Sequence, residues 1–262
     1  MLCAPFVNLH TRFNHSIKYI KEYAPRHIFW HEKLVVEAFY NYSGSGKIVV
    51  DIGANVGGFA MISLLLNSTV YAVEMQPACC ELMRCNKLIN GFKNLYIFNG
   101  FVPQYWPHDP ISVHPRMCNV MASSTATGGR WPHGLLMKSH RTMNWNETVP
   151  VVPLNLRNIL SDHETIALTK IDTEGSEIET LLSLEWVKIQ VVIIEFQAGA
   201  WHYNNISRQY GLSVVQKFIV FKSYSIFPLF GKTLKKWSTS KLLQFLKDQN
   251  NNFREFLFIP QK

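Results

Sequence analysis

Short apolar runs alternate with longer amphipathic stretches along most of the chain, a pattern of strands and helices in turn. Residues 17 to 42 read as helical, and Ser43-Gly44-Ser45-Gly46 releases the chain into Ile48 to Ile52, a run apolar enough for a buried strand. After Gly57 the segment Phe59 to Leu66 is apolar all round, as a helix packed under a sheet would be, and Val70 to Glu74 is a second strand. Pro77 suits the first turn of a further helix, on which Cys79, Leu82, Cys85 and Ile89 recur on one face, so its cysteines read as core filling. Strands follow at Leu95 to Phe98, Thr165 to Ile171 and Val191 to Phe196, with a helix from Ser176 to Leu184. Strands separated by helices build βαβ units with right-handed crossovers. The tail predicts a helix at Leu212 to Phe221, a strand at Tyr224 to Phe227, a helix beginning near Ser238 and a last strand at Phe256 to Ile259.

Residues 101 to 150 break this rhythm with Pro103, Pro107, Pro110, Pro115, Pro132 and Pro150 and with Trp106, Trp131 and Trp145. An insertion of that length in a compact domain is a functional loop or a disordered one. The organisation expected is an N-terminal helical segment over 1–46 and one catalytic domain over 47–262 that carries this insertion.

Composition narrows the picture. The chain has 262 residues, 47% of them hydrophobic, which suits one sizeable α/β domain. Five cysteines, odd in number and without Cys-x-x-Cys spacing, argue against a zinc site or a complete disulfide framework; free thiols and a cytoplasmic location are expected. Sequons at Asn14, Asn41, Asn67, Asn146 and Asn205 keep the lumen of the secretory pathway as the alternative. No run of 18 apolar residues suggests a membrane span. The net charge of +8 is scattered, so a solvated basic surface is expected and nucleic acid is not.

The chemistry begins at Val49-Val50-Asp51-Ile52-Gly53-Ala54-Asn55-Val56-Gly57. Gly53 and Gly57 let the backbone bend and approach a ligand at the carboxyl end of a strand, and the following helix presents unpaired N–H groups. Asp51 is placed to attract a cationic group. Glu74, 21 residues after Gly53, stands where a carboxylate accepts ribose hydroxyls, with Met75 beside it to pack on an adenine. Asn99, just after the third strand, joins Asn55 and Asp172 in the expected cofactor set. A dinucleotide dehydrogenase would carry glycine where Asn55 stands, so close approach of a pyrophosphate is disfavoured, whereas S-adenosylmethionine has no pyrophosphate.

With these motifs in hand, the chain resembles the FkbM-like methyltransferases, a family of S-adenosylmethionine-dependent enzymes mostly associated with O-methylation. The resemblance rests on residues 49 to 57, on Val-Tyr-Ala-Val-Glu-Met-Gln-Pro at 70 to 77, and on Leu-Thr-Lys-Ile-Asp-Thr-Glu-Gly-Ser-Glu at 168 to 177. Val-Pro-Val-Val-Pro-Leu-Asn at 149 to 155, Glu195 ending the fifth strand and Phe-Leu-Phe-Ile-Pro at 256 to 260 extend it. It implies a Rossmann-like class I fold, with helices on both faces of a seven-stranded, mostly parallel sheet whose last strand is antiparallel. Asn155, where the family usually has aspartate, and Ser183 depart from the pattern.

For catalysis the expectation is in-line transfer of a methyl group to a hydroxyl or carboxyl oxygen of a small-molecule or glycan acceptor, with proximity supplying most of the acceleration. Candidate bases are Glu174, Glu177, Glu195 and His202. Glu174 and Glu177 are neighbours if a helix has begun there, and like charges raise each other's pKa; alternatively Asp172 and Glu174 serve the helix dipole while Ser176 and Glu179 form a capping pair. His108, Asp109, His114, His133 and His140 match no standard metal spacing, and no metal is expected. The rivals are a non-catalytic binding protein on the same fold and a nicotinamide-dependent dehydrogenase.

Overall fold

The structure is a computed structural model whose described residues are 33–102, 111–113, 118, 149–160, 165–230, 234–248 and 254–261. Their strands are β1 (Ile48–Ile52), β2 (Thr69–Glu74), β3 (Leu95–Asn99), β4 (Ile111–Val113), β5 (Val149–Val151), β6 (Thr165–Ile171), β7 (Lys188–Phe196), β8 (Tyr224–Pro228) and β9 (Arg254–Pro260). Seven of them form one sheet in the order β3-β2-β1-β6-β7-β9-β8. The pairs from β3 through to β7 are parallel, while β9 runs antiparallel to both β7 and β8. The antiparallel strand is thus the last in sequence, inserted between two others in space. Strand order reverses between β1 and β6, and in open α/β sheets such a reversal leaves a crevice at the carboxyl ends of the strands.

Helices cover both faces because the strands are apolar on both. α1 (Lys33–Tyr42), α2 (Gly58–Leu65) and α3 (Pro77–Asn90) lie on one side, where Val35, Phe39, Ile62 and Met83 meet Val49, Val70 and Leu168. On the other side are α4 (Leu156–Ile159), α5 (Glu177–Ser183), α6 (Arg208–Lys222) and α7 (Thr239–Lys247), with a 3-10 turn, η1 (Trp201–Asn204), ahead of α6. There Ile178, Leu181, Val214, Phe218 and Leu242 pack on Val50, Ile52 and Ile194. Val49 and Val50 face opposite layers, as the two-residue period of a strand requires. Each fully buried side chain of this size contributes about 1.5–3 kcal/mol.

The structure corrects the reading of α3. Its buried positions are Ala78, Cys79, Cys80, Met83, Asn86 and Asn90, whereas Leu82 and Cys85 are half-buried and Ile89 is exposed. The free-thiol expectation is also overturned: Cys79 is bonded to Cys118, 39 residues away, and Cys85 is disulfide-bonded as well. Cys80, with its burial raising the thiol pKa to about 12, is the free cysteine among the described residues. Spacing could not reveal this because the pairing joins α3 to the insertion across the fold.

The insertion is anchored at its base. β4 and β5 pair antiparallel, and Phe101 bridges Pro153 in parallel register. The histidines weighed for metal, the three tryptophans, and residues 17–32 of the expected first helix lie outside the described residues.

A cross-link closing a loop of this length stabilises the fold by roughly 4 kcal/mol in the chain-entropy account. Cys118→Ser should therefore unfold at markedly lower urea than the parent chain, with the same native circular dichroism before the transition. An unchanged midpoint would contradict the bond.

Candidate functional site

The site forms where the turns after β1, β2, β6 and β7 meet. Gly53, at φ +80°, turns the chain out of β1, and a Cβ there would fall onto the Asp172 carbonyl oxygen. Gly57, at φ +82°, sits at the head of α2, where a Cβ would lie 2.8 Å from Met83 Cγ. The two glycines permit both the left-handed backbone and the close approach of β1's turn to β6's, which the Asp172 N–H seals by donating to Ile52 O at 2.9 Å. Between them Asn55, itself at φ 54°, is exposed, and its amide oxygen lies 3.6 and 3.8 Å from the sulfurs of Cys79 and Cys118. The disulfide thus flanks the turn.

Glu74, at the end of β2, joins two of these turns. Its Oε2 accepts the Asn55 N–H and its Oε1 the Gln76 N–H, both at 2.8 Å. Burial raises its pKa even so. A carboxylate offers about four acceptor positions, so two remain for a ligand. Asn99 closes the same corner from β3 by donating to the carbonyls of Glu74 and Met75 at 2.9 and 3.1 Å. Met75 is half-buried beside it.

Behind the turns lies a cluster of acids around one lysine. Lys170, 2% exposed within β6, donates to Asp172 Oδ2 at 2.6 Å, and its ammonium stands 4.9 Å from the centre of the Phe59 ring. Burial works against its charge, but Asp172 and Asp51 outweigh that and hold it protonated. Asp51 is wholly buried; burial first, and Asp172 after it, push its pKa to about 6 against the pull of Lys170 and of the Ala60 N–H. Glu195, near the end of β7, is pushed to about 10 by burial and by Asp172, with Glu255 across the β7–β9 ladder adding to the effect. Burial and the neighbouring Asp172 thus favour its protonated form.

The turn after β6 carries the remaining acids. Glu174 takes a left-handed backbone, φ 52°, and burial, Asp172 and Glu177 together raise it to about 7. With its amide turned to donate, Gln197 Nε2 lies 2.9 Å from Glu174 Oε2 and 3.0 Å from the Glu174 carbonyl. Glu177 is fully buried, also raised to about 7 by burial, and each of its oxygens is engaged inside the fold: Oε1 accepts the Gly175 N–H at 2.6 Å and Oε2 the Trp201 indole N–H at 2.8 Å. Ser176 holds the N-cap of α5, and its own side chain makes no cap hydrogen bond. Glu177 ties the turn to η1, and Gly175 lets it press on Ala200, where a Cβ would come within 2.8 Å of that residue's own. His202 follows Trp201 and is exposed.

The turns therefore bring Asp51, Gly53, Asn55, Gly57, Glu74, Asp172, Glu174 and Glu195 to one edge of the sheet, with Met75 and Asn99 at its β2–β3 corner and Glu177 beneath it. Sequence reasoning missed Lys170, Gln197, Trp201, Glu255 and the Cys79–Cys118 bond. A lysine inside an otherwise apolar strand two residues before an aspartate was a usable signal for the first.

A family model described as the methyltransferase FkbM domain matches residues 51–254. Among curated relatives, a tRNA (guanine(37)-N(1))-methyltransferase of Entamoeba histolytica is 32% identical over 29% of this chain, and a ribosomal protein L11 methyltransferase of Carboxydothermus hydrogenoformans 37% identical over 23%. Each match spans 20% of the relative's own length. A solved structure of a putative caffeoyl-CoA O-methyltransferase from Staphylococcus aureus is 13% identical, with a TM-score of 0.44 over 97% of this chain and 96% of that one. An O-methyltransferase from Bacillus cereus in complex with SAH is 10% identical, with a TM-score of 0.42 over 97% and 87% of the two chains. The family model spans most of the chain, including the glycine turn, Glu74 and the Asp172–Glu177 segment: the chain belongs to the FkbM methyltransferase family.

Proposed function

We propose that the protein uses S-adenosylmethionine to methylate an oxygen of a small-molecule or glycan acceptor. The observation that carries this reading is the charge of the site. In a chain of net charge +8, Asp51, Glu74, Asp172 and Glu174 converge on one edge around Lys170. An acidic cleft favours a ligand with an ammonium and a sulfonium and disfavours a pyrophosphate. The glycine cradle at Gly53 and Gly57 and the buried carboxylate of Asp51 fit such a ligand. When bound, the cofactor would supply an activated methyl group. Glu74 would hold the ribose with its two unused acceptor positions, Met75 would line the base, and Asn99 would fix the corner that both depend on.

Glu174 is the best-placed base. Its pKa of about 7 lets it accept a proton near neutrality, and Gln197 orients it. Glu195 is held towards its protonated form by burial and by Asp172, which makes it a poorer base than Glu174. Glu177 is spent on Gly175 and Trp201, a positioning task. The disulfides favour an oxidising lumen over the cytoplasm, the alternative that the sequons keep open.

Titration calorimetry should show one-site binding of S-adenosylmethionine and none of a nicotinamide dinucleotide. No heat with the former at millimolar concentration would refute the reading, and a preference for the dinucleotide would make the protein a dehydrogenase. On an accepted substrate, Glu174→Gln should lower kcat by about 10²–10⁴ and remove the limb of the pH profile near 7, while His202→Ala stays within a few-fold. Equal losses in the two variants would count against Glu174. The ligand-free acids also set a pH dependence of stability. Asp51, Glu174 and Glu177 keep their protons up to about 6, 7 and 7, whereas the unfolded chain loses them near ~4, so stability is fullest below that pH and falls as pH rises through 6 to 7. Thermal unfolding without ligand should come at higher temperature at pH 5.5 than at pH 8; the reverse order would mean that these groups are ionised in the folded chain.

A further inference from the structure

Sequons can be chance matches, and burial separates those a glycan could occupy from those it could not. Of the five, Asn41, Asn67 and Asn205 fall in the described residues, and all three are exposed. Asn86 and Asn90, the buried asparagines among the described residues, stand outside any sequon. Asn41 lies in the last turn of α1, off the face formed by Val35, Val36, Ala38 and Phe39. Asn67 sits in the left-handed turn between α2 and β2, where its Nδ2 donates to Ser45 Oγ at 3.3 Å. Asn205 ends η1 in the same conformation.

Place in the fold matters as much as exposure. Asn67 precedes the first residue of β2, and Ser45, its partner, precedes β1, so this turn lies at the amino ends of the strands, opposite the acidic cleft. Asn41 leads into the same end of the sheet. Asn205 lies on the cleft side, three residues beyond His202. A glycan at Asn67 would replace one of two Nδ2 hydrogens and leave the other for Ser45.

The second, independent observation is redox. Cys79 and Cys118 form a bond, and Cys85 is bonded too, chemistry that persists in the compartment where asparagine-linked glycans are added. From exposure and oxidised thiols together, we propose that Asn41, Asn67 and Asn205 are sites of N-linked glycosylation. This rests on the oxidising-lumen reading above. The reaction joins asparagine Nδ2 to C1 of an oligosaccharide carried on a lipid diphosphate; the C1–O bond to the diphosphate breaks, the lipid diphosphate leaves, and one amide proton is lost to a base. The hydroxyl two residues on is needed for recognition. In the folded chain Ser43 Oγ lies against Ser63 Oγ at 2.8 Å and Ser207 Oγ caps α6 by accepting from Tyr210 N, so transfer precedes folding at Asn41 and Asn205.

The test uses the full chain, with its own amino terminus, from eukaryotic cells. Thiols are alkylated without reduction, and the protein is digested and treated with peptide N-glycosidase in heavy-oxygen water. Mass spectrometry should find labelled aspartate at positions 41, 67 and 205, and Thr69→Ala should abolish the label at 67 alone. An unlabelled asparagine in a chain whose Cys79–Cys118 bond is intact overturns the proposal at that site while leaving the compartment reading standing. Alkylated Cys79 and Cys118 would overturn the compartment reading, and with it the proposal.

Discussion

Lys170 and its acids are the constraint around which the rest is arranged. A lysine 2% exposed in the middle of a sheet is tolerable only if paired, and it is paired with Asp172 at 2.6 Å and with the field of Asp51 on the adjacent strand. Removing one partner from such a pair costs about 3–5 kcal/mol, because the other charge stays buried. The register that sets Asp51 opposite Lys170 also brings Gly53 against Asp172, so the strand pairing that satisfies the lysine shapes the cleft as well.

Charge in that cleft is set by burial and neighbouring charges together. Lys170 is held cationic, Glu195 is pushed towards its protonated form, and Asp51 and Glu174 lie between, at about 6 and about 7. One cation among several carboxyls leaves a surplus of negative charge that an incoming cation can neutralise. The same surplus burdens the empty fold, a cost common at sites whose pKa values are tuned for function. Disulfide, Asn55 and Glu74 meet at the opposite wall, so the oxidation state of the chain bears on the shape of the turn.

The sheet was legible in the sequence because its strands are apolar on both faces and its glycines sit where only glycine fits. β1, β2 and β6 lie where their apolar runs end, and the antiparallel last strand implied by the resemblance is β9. Less visible was anything made by distant residues meeting. The Cys79–Cys118 bond joins parts of the chain that no local period connects, and the face of α3 was misassigned because its cysteines were counted as one stripe. Glu177 looked like a base beside Glu174, yet its partner is an indole 24 residues away. Candidate acids could be listed from the motif; which of them is free to act depends on contacts with η1 and β7.

The central claim, that this acidic edge is built for a cation, is tested most directly by counting protons when S-adenosylmethionine binds. Calorimetry at pH 6.5 in buffers of different ionisation enthalpy gives that count. Because a cation favours the ionised forms of Asp51 and Glu174, whose pKa values are about 6 and about 7, binding should release protons and tighten as pH rises. Proton uptake, or binding with no proton exchanged, would contradict the account.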